Sequence, residues 1–252
     1  MTSIGILGVR GRMGQAVAGA IEEVGFTVAG GVDRDGYFVG DHRDAMALAE
    51  ACDVLVDFSA PDAIAGHLDA AVAAGTPIVI GTTGITNDHH DAIDEAAESV
   101  AVVQAFNMSL GVNLLAALVE QAARRLGPEW DIEIVEMHHR HKLDTPSGTA
   151  LLLGASANVG RGATRFDEKN RYDRMQDGPH QREEGGIYYA SLRGGSVSGD
   201  HVVVFASEGE RLELGHRAEA RSIFAKGAVK AAAWLADKPA GRYTMADVLG
   251  FE

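Results

Sequence analysis

The five residues from His138 to Lys142 form the densest group of chemically active side chains in the sequence. They include three of the chain's ten histidines, one arginine and one lysine. Like charges packed together repel one another unless an anion binds among them or the groups stay neutral. Histidine titrates near neutral pH and lysine can be tuned toward it, so either can transfer a proton. The run therefore predicts a site where an anion binds and a proton moves.

Two other interpretations of this run stay open. A solvated basic loop requires no ligand. A metal site would use His139 and His141 on one strand face, but Arg140 and Lys142 beside them would repel a divalent cation, and the spacing places no further ligand. We therefore expect an anion site and no metal.

The residues after the run strengthen the anion interpretation. The segment Thr145-Pro146-Ser147-Gly148-Thr149 offers a capping hydroxyl and a proline near the first helical position, and alanine and leucines follow it. A helix N-terminus presents backbone N–H groups and the positive end of the helix dipole, which suit a carboxylate. Cations followed by such a helix predict a site for a small acid.

A glycine-rich turn near the N-terminus is the second candidate site. Gly8-Val9-Arg10-Gly11-Arg12-Met13-Gly14 follows an apolar run and opens a helical pattern. Glycines there let the backbone approach a pyrophosphate, although this spacing also suits a tight structural turn. After the next predicted strand comes Asp33-Arg34, where the acid suits a ribose hydroxyl and the arginine a 2′-phosphate. Together these features predict binding of NADH or NADPH.

Two further loops follow predicted strands of the same kind. Gly81-Thr82-Thr83-Gly84 comes after one strand, and Ala105-Phe106-Asn107-Met108 comes after the next. Either loop alone is compatible with an ordinary turn. In open α/β sheets ligands bind beyond the carboxyl ends of the strands, so we expect both loops beside the same cofactor.

The first hundred residues alternate short apolar runs with helical patterns. Strands are predicted at 4–7, 27–32, 54–58, 78–80 and 100–104, and helices at 13–24, 41–51, 61–74 and 87–98. Continuous apolar strands with helical crossovers predict a parallel sheet covered on both faces. The expected fold class is therefore α/β.

After Asn107 the pattern changes. Helices are predicted at 110–126, 149–159 and 218–236, strands at 131–134 and 211–216, a β-hairpin at 187–205 that turns at Gly194-Gly195, and a long loop at 161–184. This order predicts a parallel-sheet domain followed by a mainly antiparallel insert.

The composition excludes several classes of function. A formal net charge of −14 opposes binding to nucleic acid or to an acidic membrane surface, so we expect neither partner. The first residues lack the basic region of a signal peptide, and no apolar run approaches the roughly 20 residues of a membrane helix. The single cysteine, Cys52, excludes an intramolecular disulfide and fits a buried, inert thiol. These features predict a cytoplasmic protein.

The stretch from Glu133 to Ala150, E-I-V-E-M-H-H-R-H-K-L-D-T-P-S-G-T-A, closely resembles the signature of the 4-hydroxy-tetrahydrodipicolinate (dihydrodipicolinate) reductase family. The resemblance spans nearly the whole chain, through residues 11–14, 81–83, 107–113 and 209–213. It implies reduction of 4-hydroxy-tetrahydrodipicolinate to tetrahydrodipicolinate with NADH and/or NADPH, in lysine and diaminopimelate biosynthesis. It also implies a Rossmann-type dinucleotide-binding domain at 1–108 and 218–252, with an inserted α+β domain at 109–217 that binds substrate and builds a homotetramer.

The resemblance also implies roles for individual residues. His138 corresponds to the family's catalytic histidine and Lys142 to its proton donor, with the division of proton transfer between them left open. Contacts with the substrate carboxylates correspond to His139, Gly148 and Thr149. Cofactor contacts correspond to Gly8, Val9, Arg10, Gly11, Arg12, Met13, Asp33, Arg34, Gly81, Thr82, Thr83, Ala105, Phe106, Asn107 and Met108. Because Asp33 favours NADH and Arg34 favours NADPH, we expect that both cofactors are used.

Two other functions are compatible with the same residues. A dehydrogenase acting on another small amino or oxo acid would use the basic run for a different carboxylate. A redox sensor would bind NAD(H) without turnover, but a basic DNA-binding face is expected of such a regulator, and the acidic composition opposes one.

Overall fold

The apolar runs of the N-terminal half form strands buried on both faces. The computed structural model describes residues 1–165, 167–172, 178 and 180–251. Its first sheet contains β1 (Ser3–Leu7), β2 (Thr27–Val32), β3 (Phe38–Val39), β4 (Val54–Asp57), β5 (Ile78–Ile80), β6 (Ala101–Gln104) and a late strand, β12 (Gly241–Tyr243). The order across the sheet is β12-β6-β5-β4-β1-β2-β3, and every neighbouring pair is parallel except β2 with β3.

Helices cover both faces of this sheet. They are α1 (Arg12–Glu23), α2 (Ala45–Glu50), α3 (Ile64–Ala74), α4 (Asn87–Ala97), α7 (Ser222–Leu235) and α8 (Met245–Leu249). Side chains of α1 and α7 pack with Ile4, Ile6 and Val56 in one apolar cluster, while those of α3 and α4 pack with Leu55 and Ile80 in another. Since alternate residues of each strand are buried on opposite sides, the strands are continuously apolar. The predicted Rossmann-type α/β sheet is confirmed.

The C-terminal half forms a second sheet with helices on one face. Its elements are α5 (Leu110–Leu126), β7 (Asp131–His138), α6 (Gly148–Gly160), β8 (Asn170–Arg171), β9 (Ile187–Arg193), β10 (Asp200–Ser207) and β11 (Glu210–Arg217), and the strand order is β11-β10-β7-β9-β8. Val119 of α5 and Leu153 of α6 pack against Ile132, Ile134 and Phe205. Every second residue of β7 is therefore buried on the face of the sheet that the helices cover.

Two predictions for this second sheet are wrong. The segments at 187–193 and 200–207 do not form a hairpin, because β7 lies between them and pairs with both along almost its whole length. The sheet is also mixed rather than mainly antiparallel, since β9 runs parallel to β7 and β8. The Gly194-Gly195 signal predicts a local reversal of the chain, but it carries no information about a partner strand some fifty residues earlier.

Smaller differences concern the ends of elements. The helix predicted at 41–51 is only the short α2, and the one at 61–74 opens with a single 3₁₀ turn, Pro61–Ala63, before α3. The long loop predicted at 161–184 contains the short strand β8, and its residues 166, 173–177 and 179 lie outside the described part.

The chain divides into two compact units. Residues 1–110 and 222–252 form the first, and residues 111–221 form the second. Within the described ranges, none of the helices combines the length and apolar composition needed to cross a membrane.

Candidate active site

His138 is the last residue of β7, and the two-residue period of the strand turns it to the same face as Glu136. Its ring nitrogen Nδ1 lies 2.5 Å from Glu136 Oε2. An ionised carboxylate only accepts hydrogen bonds, so Nδ1 carries the proton of this contact. The other ring nitrogen, Nε2, is then the atom that can gain or lose a proton.

Glu136 is the centre of a buried network. It is 1% exposed, and Arg193 donates to its two oxygens at 2.8 and 2.9 Å, while the Ser147 N–H donates at 3.3 Å. Burial acts to raise the pKa of Glu136, but hydrogen bonds from Arg193, Ser191 and His138 outweigh it and lower that pKa. Glu136 therefore stays ionised at neutral pH, with its charge offset by a guanidinium bound through two hydrogen bonds.

The pairing of β9 with β7 brings Arg193 to this network. The parallel register sets His138 beside Arg193 and Glu136 beside Ser191. Arg193 also donates to the backbone oxygen of Asp144 at 2.6 Å, which holds the segment after the basic run.

Sequence reasoning gave Glu136 and Arg193 no role. A signal for Glu136 was present, because a residue two places before His138 on a strand shares its face. No signal pointed to Arg193, because its position depends on the unpredicted parallel pairing.

The start of helix α6 is fixed by the same network. Ser147 is its N-cap, accepting from the Ala150 N–H at 3.2 Å. The observed helix start differs from the predicted one in the place of its proline. Pro146 precedes the N-cap Ser147 instead of following the cap at the first helical position. Gly148 and Thr149 are the first helical residues, and a methyl group built on Gly148 would meet nothing within 4 Å. Neither crowding nor a left-handed backbone requires glycine at position 148.

His201 supports both Ser147 and His138. Its Nε2 lies 2.9 Å from Ser147 Oγ, and its ring packs edge-on against that of His138 at 5.1 Å between centroids. Burial, followed by the nearby His138, lowers the pKa of His201 to about 4. His201 is therefore neutral at physiological pH. Sequence reasoning missed this residue because it lies on β10, far along the chain from the basic run.

Lys142 lies in the turn that follows β7. Its N–H donates to the His139 backbone oxygen at 3.1 Å, and its Nζ lies 2.8 Å from Asp144 Oδ2. The hydrogen bond from Lys142 lowers the pKa of Asp144. Because the Asp144 side chain is 60% exposed, an incoming anion can compete with it for the ammonium group. The His139 ring lies beside that of His141, with 6.3 Å between centroids.

The glycine turn after β1 has the shape of a phosphate site. Gly8 has a φ of +84°, and a Cβ on Gly14 would lie 2.3 Å from the Gly8 oxygen, so these two glycines are required by the turn itself. Gly11 is the N-cap of α1 and makes no side-chain capping hydrogen bond. The first N–H groups of α1 therefore lie at a helix end that suits a phosphate.

Asp33, at the end of β2, is tied to this turn. Its carboxylate accepts from the N–H groups of Arg10 at 2.8 Å and Arg34 at 2.9 Å. The Arg10 guanidinium lies 4.7 Å from the centroid of the Tyr37 ring. Asp33, Arg10, Arg34 and the glycines of the turn, Gly8 and Gly11, line a cleft of about 680 Å³.

A second cleft, of about 340 Å³, continues from the first. The two share Phe58 and Ser59. The second is lined by Met13, Phe58, Ser59, Gly81, Thr82, Thr83, Phe106, Asn107, Met108 and Phe224. The structure therefore brings the glycine turn and the loops at 81–84 and 105–108 together in the first unit. Two adjoining clefts suit a ligand with two halves, such as a dinucleotide.

Three of the predicted cofactor residues point elsewhere. Val9 and Ala105 pack against the apolar core, so only their backbone atoms are available to a ligand. The Thr82 hydroxyl donates to the buried Asp57 at 3.0 Å.

The family models and the relatives that are most similar in sequence point to one family. Models of the dihydrodipicolinate reductase N-terminus and C-terminus match residues 2–108 and 111–249. A 4-hydroxy-tetrahydrodipicolinate reductase of Zymomonas mobilis is 56% identical over 249 residues, covering 98% of this chain and 96% of the relative. One of Parvibaculum lavamentivorans is 49% identical, covering 98% and 97%. The solved structure of a dipicolinate-bound dihydrodipicolinate reductase from Paenisporosarcina sp. TG-14 has a TM-score of 0.79 at 24% identity, covers 97% of each chain and shares the fold.

The resemblance carried by the histidine-lysine signature is thereby confirmed, and the chain belongs to the dihydrodipicolinate reductase family.

Proposed function

We propose that the chain reduces 4-hydroxy-tetrahydrodipicolinate to tetrahydrodipicolinate through His138 and Lys142. The activity itself follows from the family models and from relatives similar over their full length. The assignment of residues is our inference. The observation that carries it is the buried Glu136–His138 pair, which lies beside the start of α6.

Proton transfer is assigned to His138 Nε2 and Lys142 Nζ. When bound, NADH or NADPH supplies the hydride that a conjugated carbon of the substrate accepts, after or with loss of the substrate's 4-hydroxyl group as water. Glu136 keeps the other His138 nitrogen protonated, so the ring exchanges protons at Nε2. Arg193 already offsets the Glu136 charge, and His138 can therefore gain or lose a proton without leaving an unpaired buried anion.

Substrate binding is assigned to the start of α6 and to the basic run. The N–H groups of Gly148 and Thr149 lie at the positive end of a 13-residue helix, which suits one carboxylate. His139 and Lys142 suit the other. A chain with a net charge of −14 repels a dianion at long range, so these local groups must supply the attraction.

Cofactor binding is assigned to the two adjoining clefts of the first unit. The N–H groups at the start of α1 suit the pyrophosphate. Asp33 keeps lone pairs for a ribose hydroxyl, and the guanidinium groups of Arg10 and Arg34 suit a 2′-phosphate. The family uses NADH and NADPH, and this cleft has groups for both.

Replacing His138 or Lys142 with alanine tests the assignment. We expect kcat to fall by about 100-fold or more, because each variant lacks a positioned acid or base. Cofactor Kd should stay unchanged. Turnover is measured as loss of nicotinamide absorbance with freshly prepared substrate, and Kd by calorimetry. His141→Ala is the matched control in the same run. A His138→Ala or Lys142→Ala enzyme with weak cofactor binding and normal turnover at saturation would refute the assignment.

A homotetramer is part of the same proposal. The face of the second sheet turned away from α5 and α6 carries Val135, Ala190 and Val202 side by side on three strands, with Leu192 50% exposed. Such an apolar strip suits contact with another copy of the chain. Light scattering should give a tetramer mass for the wild type and a smaller one for Val202→Glu. A monomeric wild type would contradict the proposal.

A further inference from the structure

A fully buried carboxylate in the first unit holds a histidine beside the cofactor cleft. Asp57, the last residue of β4, is 0% exposed. It accepts hydrogen bonds from the Ser59 N–H at 2.8 Å, the Ser59 hydroxyl at 2.6 Å and the Thr82 hydroxyl at 3.0 Å. His67 Nδ1 lies 2.7 Å from its second oxygen. Asp57 thus joins the loops after β4 and β5 to helix α3.

His67 uses only one ring nitrogen in these contacts. Ser59 Oγ lies 3.4 Å from Nδ1, the atom that also meets Asp57. A serine–histidine–aspartate relay needs the two partners on different nitrogens, so this cluster is not a nucleophile with its base. Within the described residues Nε2 has no hydrogen-bond partner, and it is not sealed from solvent.

The open side of His67 belongs to the cleft of the glycine turn. His67 lines that cleft together with Arg10 and Arg34. The Ser59 segment packs directly on the turn, since a Cβ on Gly8 would lie 2.9 Å from Ser59 Cα. Ser59 therefore lies against both His67 and the glycine turn.

The surroundings of His67 favour an anion. The 3₁₀ turn Pro61–Ala63 and helix α3 both start without a side-chain cap, and Ala60 and Ala63 line the cleft. Of the acids there, Asp33 and Asp44 accept hydrogen bonds from backbone N–H groups, and Asp62 lies in the first turn of the 3₁₀ segment. The cleft thus presents N–H groups, guanidinium groups and one imidazole to a ligand.

We propose that His67 binds the diphosphate of NADH or NADPH through Nε2, with Asp57 as its positioning residue. The proposal rests on the cofactor site assigned above. Asp57 keeps the Nδ1 proton in place, and a phosphate oxygen draws a second proton onto Nε2, so that the imidazolium lies between two anions. The diphosphate is common to both cofactors, and His67 therefore contributes equally to the binding of each.

His67→Asn is the test, because the asparagine amide can keep the bond to Asp57 while Nε2 is lost. We expect Kd for NADH, NADPH and ADP-ribose to rise by the same factor, about 10-fold or more, as for loss of a hydrogen bond to a charged group. Calorimetry measures all three ligands, with nicotinamide mononucleotide, which lacks the diphosphate, as the ligand control.

An unchanged Kd for ADP-ribose would overturn the proposal, and so would a loss confined to NADPH, which would assign His67 to the 2′-phosphate. Binding of NADH to the wild-type protein tests the cofactor site itself. Failure of the cofactor site is therefore distinguishable from failure of the role proposed for His67.

A second measurement uses the wild-type protein and so does not depend on whether the variant folds. In wild-type protein with ¹⁵N-labelled histidine, ADP-ribose should move one Nε2 resonance to the position of a protonated imidazolium. If every histidine Nε2 resonance stayed in place, the proposal would be wrong.

Discussion

Each unit holds a histidine on a buried carboxylate at the end of a strand, but the two pairs differ in what else the carboxylate meets. His67 Nδ1 lies 2.7 Å from Asp57, and His138 Nδ1 lies 2.5 Å from Glu136. Asp57 otherwise accepts from hydroxyl groups and one N–H. Glu136 is bound in addition by the Arg193 guanidinium.

The additional cation changes what each histidine can do. Glu136 remains paired with Arg193 when His138 loses its charge, so His138 is free to exchange protons. Within the described residues His67 is the basic side chain that contacts Asp57, and we assign that pair to the holding of an anion. In our proposals a histidine and a carboxylate thus serve proton transfer in one unit and anion binding in the other.

Replacing Arg193 with methionine should remove the cation that distinguishes Glu136 from Asp57. This substitution has the largest expected effect. The buried Glu136 would lose its guanidinium, and we expect the free energy of unfolding to fall by about 3–5 kcal/mol. Urea denaturation followed by circular dichroism measures it. Arg211→Met is the matched control, because Arg211 is 70% exposed and pairs with Glu213, so its loss should cost less than about 1 kcal/mol.

A second substitution identifies the cause of that loss. Glu136→Gln combined with Arg193→Met removes the unpaired charge and should recover much of the stability. If Arg193→Met were as stable as Arg211→Met, the charge-offset explanation would be wrong.

His201 gives the second unit a pH dependence that comes first from the burial of its ring and then from the nearby His138. Its pKa is about 4 in the folded protein against 6.5 as the ordinary value, so the unfolded chain binds the proton first as pH falls. The stability from His201 is complete above pH 6.5 and is lost as pH falls toward 4, by up to about 3 kcal/mol. Urea titrations at several pH values measure the slope, and His201→Gln, which can keep the bond to Ser147, should flatten it. Equal slopes in the two proteins would contradict the low pKa.

The two histidine–carboxylate pairs also show which parts of the sites the sequence predicts and which parts it does not. The strand that contains Asp57 and the loop at 81–84 were predicted, because continuous apolar runs fix a parallel sheet and its carboxyl edge. An aspartate inside an apolar run was a usable signal for a buried, bonded carboxylate. The hydrogen bond of His67 to Asp57 was not predictable, since it depends on how α3 rotates against the sheet.

In the second unit, the basic run and the helix start predicted one site, and the structure joins His138 to the N-cap of α6 through Glu136. The anion that would bind there stays a prediction. Arg193 and His201 escaped prediction because each reaches the site through a neighbouring strand of β7. Local patterns specify a strand and its faces, but the order of strands depends on packing between distant segments.

The glycines of the two sites give the smallest and most selective test. Gly14 is crowded by the backbone of its own turn, whereas Gly148 has free space around it. We expect Gly148→Ala to raise the substrate KM by about 10-fold, because a methyl group would occupy the place where a carboxylate approaches the α6 N–H groups. Gly19→Ala in α1 is the matched control, since Gly19 is also exposed, helical and uncrowded.

Both alanines favour their helices by up to about 1 kcal/mol, so Tm should rise slightly in each variant. Steady-state kinetics at saturating cofactor then separate the two sites. Only Gly148→Ala should change KM, with cofactor Kd unaltered. If KM stayed at the wild-type value while Tm rose, the substrate carboxylate would have to bind somewhere other than the start of α6.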